Sequence, residues 1–387
     1  MPQYAMSRRR FTGLVGLGVA GSLAGRADAF TPDQTPVPAV APHAPNEVPP
    51  APVARLDSNE NPYGPSPAAR EAISRSLDTY GRYPDTADDR MREAIALHHG
   101  VGVTQVVLGC GSGEILRMAD LAFLPAGKSV VAAEPTFEAV LRYAKVMQAD
   151  AITVPLTPDF RHDLTKMADS CTERTGLVYV CNPNNPTGTI VRGDELEPFL
   201  RRLGPWTIAV VDEAYHHFAE DPRYRSAMDL VPRFANLVVV RTFSKIYGMA
   251  GLRLGYAVAS EPVIAAMARH ALPSNANAAV LEAALASLAA PDHATRQRAM
   301  FTDTRRRLCA EFEKDGRRYI PSETNFVMVH IGADVEPLIR RFTDRRILVG
   351  RRFAAMPEWL RVSLGTPQEM QLFVAALRDL APARAAA

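Results

Sequence analysis

Lysine is scarce in this chain of 387 residues: only five of its 44 basic residues are lysine, at positions 128, 145, 166, 245 and 314, and the rest are arginine. Cysteine is scarce too, with four residues (Cys110, Cys171, Cys181 and Cys309) that show neither a CxxC pair nor a cysteine and histidine spacing suited to a metal. No metal site is therefore expected, and free buried thiols are the default, with a disulfide open to a chain in an oxidising compartment. The formal net charge is only +2, so nothing points to nucleic acid or to an anionic membrane surface. What remains is ordinary globular composition, 47% hydrophobic and 22% charged, in a length that fits two domains.

The first 54 residues read as address and spacer. Arg8 and Arg9 precede a small, weakly apolar run from Gly13 to Gly25, and Ala27-Asp28-Ala29 offers small residues at the two key positions of a cleavage site. The run is too short for a bilayer, which needs roughly 20 apolar residues. The pattern resembles a twin-arginine export signal over residues 1–29, read by the export machinery, which implies a mature protein in the periplasm or outside the cell, or in the cytoplasm where the signal is not used. Residues 30–54 carry eight prolines and few large apolar side chains, so an extended spacer is expected there.

From Val106 the pattern changes. Short runs rich in β-branched residues (VVLG, SVVAAE, AITVPL, GLVYVCN, TIAVVDE, NLVVVRTF, GLRLGYAVA) alternate with helical stretches, one expected from Gly113 and another from Phe137. Continuous apolar runs mean strands covered on both faces, so an α/β domain of three layers with a mostly parallel sheet is expected over 81–272. After Pro273 long helices are expected over 276–290 and 294–314, then strands at NFVMVHI and LRVSLG and a closing helix from Pro367, which defines a smaller α+β domain over 273–383. Residues 55–80 precede the core and are expected to pack with one of the domains or with a partner subunit.

Four motifs fall at strand ends or in the loops after them, where open α/β sheets place ligand chemistry. GCGSGE (109–114) is a glycine-rich turn into a helix, fit for an anion held by backbone amides. CNPNNPTG (181–188) is a rigid loop that aims side-chain amides inward. VVDEAY (210–215) puts Asp212 at a strand end, where a carboxylate can hold a heterocyclic nitrogen protonated, or simply cap a helix. TFSKIYGMAGLRLGY (242–256) places one of the rare lysines, Lys245, between Ser244 and Arg253. Lysine does what arginine cannot: desolvated, its amine loses a proton and attacks a carbonyl to give an imine. An aldehyde cofactor with a basic ring nitrogen and a phosphate tail would need this set of groups.

Together with RVSLGT (361–366), NENPYGPSP (59–67) and RYPD (82–85), these motifs resemble, in order, those of the fold-type I pyridoxal-phosphate aminotransferases, in particular the histidinol-phosphate aminotransferase branch. The resemblance covers roughly Leu56 to Leu380. It implies pyridoxal 5'-phosphate as cofactor, with Lys245 forming the covalent imine and moving the proton, and Asp212 pairing with the ring nitrogen. It also implies Asn185 and Tyr215 at the phenolic oxygen, Phe137 stacked on the ring, and Gly111, Ser112, Gly113, Ser244 and Arg253 around the phosphate. Tyr83 is implied to reach the phosphate of a second subunit, hence a homodimer with shared sites. Arg361 is implied at the acidic group of the substrate, with Asn59 and Arg351 as further substrate contacts, and the reaction joins an amino donor to a 2-oxo acid acceptor. One departure stands out: Gly350 occupies the position where the branch commonly has arginine, and Arg351 and Arg352 come directly after it. Aromatic amino acids or another acidic substrate stay open, as do a decarboxylase of the same fold and an exported cofactor-binding protein without turnover.

Overall fold

The computed structural model describes residues 51–382; the expected export signal and nearly all of the proline-rich spacer lie outside the described residues. Twelve strands occur among them: β1 Ala54–Leu56, β2 Val106–Gly109, β3 Ser129–Glu134, β4 Asp150–Pro155, β5 Thr175–Cys181, β6 Ile208–Asp212, β7 Leu237–Thr242, β8 Gly255–Ala259, β9 Tyr319–Ile320, β10 Phe326–His330, β11 Ile347–Val349 and β12 Trp359–Ser363. Seven of them form one sheet in the order β2-β8-β7-β6-β5-β3-β4. Its neighbours pair parallel except where β8 meets β7 and β2, so β8 alone runs against the rest.

The uninterrupted apolar runs are explained by two cores. Val131, Val178, Val211 and Val239 point into one, while Val130, Leu177, Val210 and Val238 point into the other, all of them fully buried. Alternating residues of each central strand thus find an apolar partner on both faces. Each such side chain contributes about 1.5–3 kcal/mol by leaving water.

The helices are α1 Pro67–Arg75, α2 Asp85–His99, α3 Ser112–Phe123, α4 Ala139–Val146, α5 Leu164–Asp169, α6 Gly193–Arg202, α7 Glu261–Ala268, α8 Ala278–Leu288, α9 Pro291–Lys314, α10 Glu336–Asp344 and α11 Pro367–Leu380. Their starts are written locally. Ser66 caps α1 and Asn277 caps α8, each accepting a backbone N–H of the first turn. Thr366 and Glu369 cap one another at α11, where Pro367 fits the first position. The helix expected from Phe137 begins at Ala139. The strand expected over GLRLGYAVA is shorter, because Arg253 turns the chain with a positive φ of 68° just before Gly255.

The C-terminal region carries an antiparallel sheet in the order β12-β10-β9 and a two-stranded parallel sheet of β1 and β11. The expected spacer therefore ends sooner than the sequence indicates: Ala54 is buried and opposes Ile347, as Leu56 opposes Val349. Proline content marked the stretch as spacer, but a parallel pairing with a strand nearly 300 residues away leaves no local signal. The pairing carries the residues after Leu56 back across the mouth of the large sheet, and Arg361 is set in β12 opposite Met328.

Candidate active site

The four motifs converge on one cavity of about 750 Å³ at the C-terminal ends of the central strands. Ser112, Gly113, Phe137, Asn185, Asp212, Tyr215, Ser244, Lys245, Arg253, Arg351 and Arg361 all line it, together with Asn59 from the returning N-terminal segment.

At its floor Asp212 ends β6, is 2% exposed, and accepts hydrogen bonds from the Tyr179 hydroxyl (2.9 Å) and the Ala214 N–H (3.0 Å). Burial pushes its carboxyl up to about 6, against the pull of those two donors and of Lys245. The next residue anchors the loop: Glu213 is buried, pairs with Arg241 at 2.8 Å, and accepts from Ser226. That ion pair ties the loop holding Asp212 and Tyr215 to β7, whose end delivers Lys245.

Lys245 donates from Nζ to the backbone carbonyls of Ser58 (3.3 Å) and Asn59 (3.0 Å). Desolvation, and next the nearby Arg361 cation, bring its amine down from the ordinary 10.5 to about 8, with Glu60 and Asp212 opposing. Asn59 is pinned from all sides. Its N–H donates to Ser363 Oγ (2.8 Å), its amide nitrogen to Tyr215 Oη (3.0 Å), and its carbonyl also accepts from Asn325 (3.0 Å). This network holds a non-glycine residue at φ 54°.

Arg361 is 8% exposed and spans two lobes, donating to Asn185 Oδ1 (2.7 Å) and to the Asp57 carbonyl (2.7 Å). Its Nε is buried with no partner among the described residues. That nitrogen packs against Gly350, and Arg361 as a buried cation lining the cavity is the group that an incoming carboxylate would meet. Arg351 lies half-exposed over the Phe353 ring at 4.3 Å and pairs with Glu138 at 2.9 Å.

Gly350 is glycine because β12 comes too close for anything else. Its N–H donates to the Arg361 carbonyl at 2.9 Å, and a Cβ there would lie 2.6 Å from that same oxygen and 3.2 Å from Arg361 Nε. Gly350→Ala is expected to destabilise the fold by about 1–3 kcal/mol and to raise KM for acidic substrates by displacing Arg361; denaturant unfolding and steady-state kinetics check the two effects.

The residues fit a pyridoxal phosphate. Helix α3 begins after Gly111, whose φ is 82°, with no side chain capping its first turn. A Cβ at Gly111 would overlap the Arg253 guanidinium, and one at Gly255 would overlap the backbone of Ser112. Two glycines thus let a helix N-terminus, Arg253 and Ser244, joined at 3.3 Å, share one phosphate-sized corner. Tyr83, by contrast, is not among the residues lining the cavity and is 69% exposed. All four cysteines are free thiols, and among the described residues no group of His, Cys, Asp or Glu side chains is arranged to hold a metal ion.

Sequence reasoning missed Tyr179, Asn325 and Ser363. Tyr179 did leave a trace, a lone hydroxyl in an otherwise aliphatic run that a strand interior must satisfy. Asn325 and Ser363 left none, since their partner Asn59 lies 266 and 304 residues away in the chain.

An amine, a buried carboxylate and an uncapped helix start at the ends of a seven-stranded sheet, with a buried guanidinium brought to them from β12, are the groups of a fold-type I pyridoxal-phosphate transferase. The profile of aminotransferase class I and II matches residues 51–377, and the chain belongs to that family. It is 40% identical over 331 residues, 85% of each chain, to a histidinol-phosphate aminotransferase of Moorella thermoacetica. It is 38% identical over 325 residues, 84% of this chain and 91% of the relative, to an aromatic amino acid aminotransferase of Cutibacterium acnes. Its backbone matches a histidinol-phosphate aminotransferase of Sinorhizobium meliloti solved with pyridoxal-5'-phosphate at a TM-score of 0.81 and 27% identity, covering 87% of this chain and 92% of the other. The protein is a pyridoxal-phosphate-dependent aminotransferase of the histidinol-phosphate aminotransferase type.

Proposed function

We propose that this aminotransferase moves an amino group between a carboxylate-bearing amino acid and a 2-oxo acid, with Arg361 binding the carboxylate. The observation that carries the reading is Arg361 itself, a buried guanidinium among the residues that line the cavity holding Lys245. Bound pyridoxal phosphate supplies an aldehyde for imine chemistry and a ring that accepts electrons.

The chain's own residues do the rest. Lys245, with an amine near 8, holds or releases a proton close to neutral pH and is placed to carry it to and from the substrate α-carbon. Asp212, a carboxylate above about pH 6, would pair with the ring nitrogen. Asn185 and Tyr215 would orient the ring through its phenolic oxygen, Phe137 would cover its face, and Ser112, Gly113, Ser244 and Arg253, with the Gly111 turn, would hold the phosphate. Asn59 fixes the Tyr215 hydroxyl and the backbone carbonyl that receives the Lys245 amine.

Position 350 carries no side chain, and Arg351, which lines the cavity, is already paired with Glu138. A phosphate ester would find little free cationic charge there, which favours carboxylate-bearing donors, aromatic ones included. The test is a panel of amino donors with 2-oxo acid acceptors, read by chromatography of the amino-acid products. Turnover of aromatic or dicarboxylic amino acids supports the reading; turnover of phosphate-bearing amines alone, or release of carbon dioxide without a keto acid, overturns it.

Two features extend beyond one described chain. The exposed position of Tyr83 fits a homodimer in which it reaches the partner's phosphate corner, checked by mixing Tyr83→Phe and Lys245→Ala subunits and assaying the hybrids. The twin-arginine pattern around Arg8 and Arg9 supports export of the folded, loaded enzyme to the periplasm, checked by cell fractionation of wild type against an Arg8→Lys, Arg9→Lys double substitution.

A further inference from the structure

Beneath the cavity, a tyrosine hydroxyl already holds the carboxylate reserved for the ring nitrogen. Tyr179 is fully buried in β5 and stands opposite Val210 of β6, two residues before Asp212. Side chains alternate along a strand, so Tyr179, Val210 and Asp212 leave the sheet on the same face. The Tyr179 hydroxyl donates to Asp212 Oδ2 at 2.9 Å, while the Ala214 N–H donates to Oδ1 at 3.0 Å. Each carboxylate oxygen therefore has one protein donor and keeps a lone pair for another. Packing alone gives no reason for this hydroxyl, since Leu177 and Val210 in the same core are apolar and a phenylalanine would fill the same volume.

We propose that Tyr179 is a positioning residue: its hydroxyl fixes the Asp212 carboxylate in the orientation that meets the cofactor ring nitrogen and shares its charge, keeping it ionised in a dry site. This rests on the reading of Asp212 as the partner of that nitrogen. A hydrogen bond to the ionised form stabilises the carboxylate against protonation, and the same bond takes up electron density that the ring nitrogen would otherwise receive. Of the charged and titratable groups acting on Asp212, Glu213 opposes its ionisation and Lys245 favours it, while the Tyr179 hydroxyl is the largest favourable contribution.

The test is Tyr179→Phe, which removes one oxygen from a filled core position. Cofactor dissociation constants are measured by fluorescence titration of cofactor-free protein from pH 5 to 9, with Asp212→Asn alongside. Below the pH at which Asp212 takes up a proton its charge is lost, so affinity falls as pH falls through that point. In the variant the carboxyl lacks a donor and holds its proton to higher pH. The acid limb is therefore expected to move up by about one pH unit, with affinity above the limb unchanged or tighter. The Asp212 carboxyl signal in ¹³C NMR of cofactor-free protein is expected to titrate higher by the same amount. An unmoved limb, an unmoved carboxyl titration, or an affinity lost by one factor at every pH would each overturn the proposal, the last by showing a merely structural role. A wild-type acid limb that persists in Asp212→Asn takes down the Asp212 reading as well, and is told apart because it needs no Tyr179 variant to be seen.

Discussion

Lys245→Ala is expected to leave a folded protein whose turnover falls by a factor on the order of 10³ or more, equivalent to about 4 kcal/mol on the barrier. No neighbouring group can replace it, since Lys128, Lys145, Lys166 and Lys314 are absent from the cavity lining and arginine does not lose its proton. The fold should survive, because the Asn59 carbonyl keeps Asn325 as a donor. Single-turnover assays with the variant check the first point and circular dichroism the second. A variant that still turns over at the wild-type rate would remove Lys245 from the mechanism.

The same lysine predicts a pH signature in the cofactor-free protein. The folded amine lets go of its proton near 8, whereas an unfolded lysine keeps it to 10.5. Between those values the unfolded chain binds more protons, so this group makes stability rise with pH over that window. The rise should be present in wild type and absent from Lys245→Ala, so that in denaturant unfolding the stability difference between them shifts in favour of wild type from about pH 8 to 10.5. Reductive methylation should likewise find one lysine whose reactivity levels off near pH 8.

Arg361→Ala carries the second large effect. Losing the charge-assisted contact with a substrate carboxylate is worth about 3–4 kcal/mol, or roughly 10²–10³ in kcat/KM. The loss should be confined to substrates with that carboxylate; amines lacking it should react as poorly with wild type as with the variant. Arg361→Lys should recover only part of the rate, because an ammonium keeps the charge without the planar fork. Equal losses for both kinds of donor would mean that the substitution acts through the Asn185 and Asp57 contacts, which Arg361 also holds together.

Most of the large sheet was legible because its signals are local. A run such as VVVRT declares a strand buried on both faces, and the loop after such a strand lies at the mouth of the sheet. For that reason Asp212, Asn185 and Lys245 could be assigned to strand ends from sequence. The supporting contacts were not legible. Asn59 meets Ser363 and Tyr215 across separations of 304 and 156 residues, and nothing in the residues around position 59 announces either partner. The tyrosine of GLVYVCN reads as one more core aromatic until β6 is laid beside β5.

The amino-acid sequence by itself determined the alternation of strands and helices, the glycine-rich turn into a helix at Gly111, and the choice of one lysine among so many arginines. Those features arise from backbone sterics, periodicity and side-chain chemistry, which act within a few residues. Only the tertiary structure decided that β1 returns to pair with β11, that Gly350 must stay bare against Arg361, and that Tyr179 rather than solvent satisfies Asp212. These depend on where distant strands come to rest, and a buried charge or a missing Cβ acquires its meaning only from the atoms that close around it.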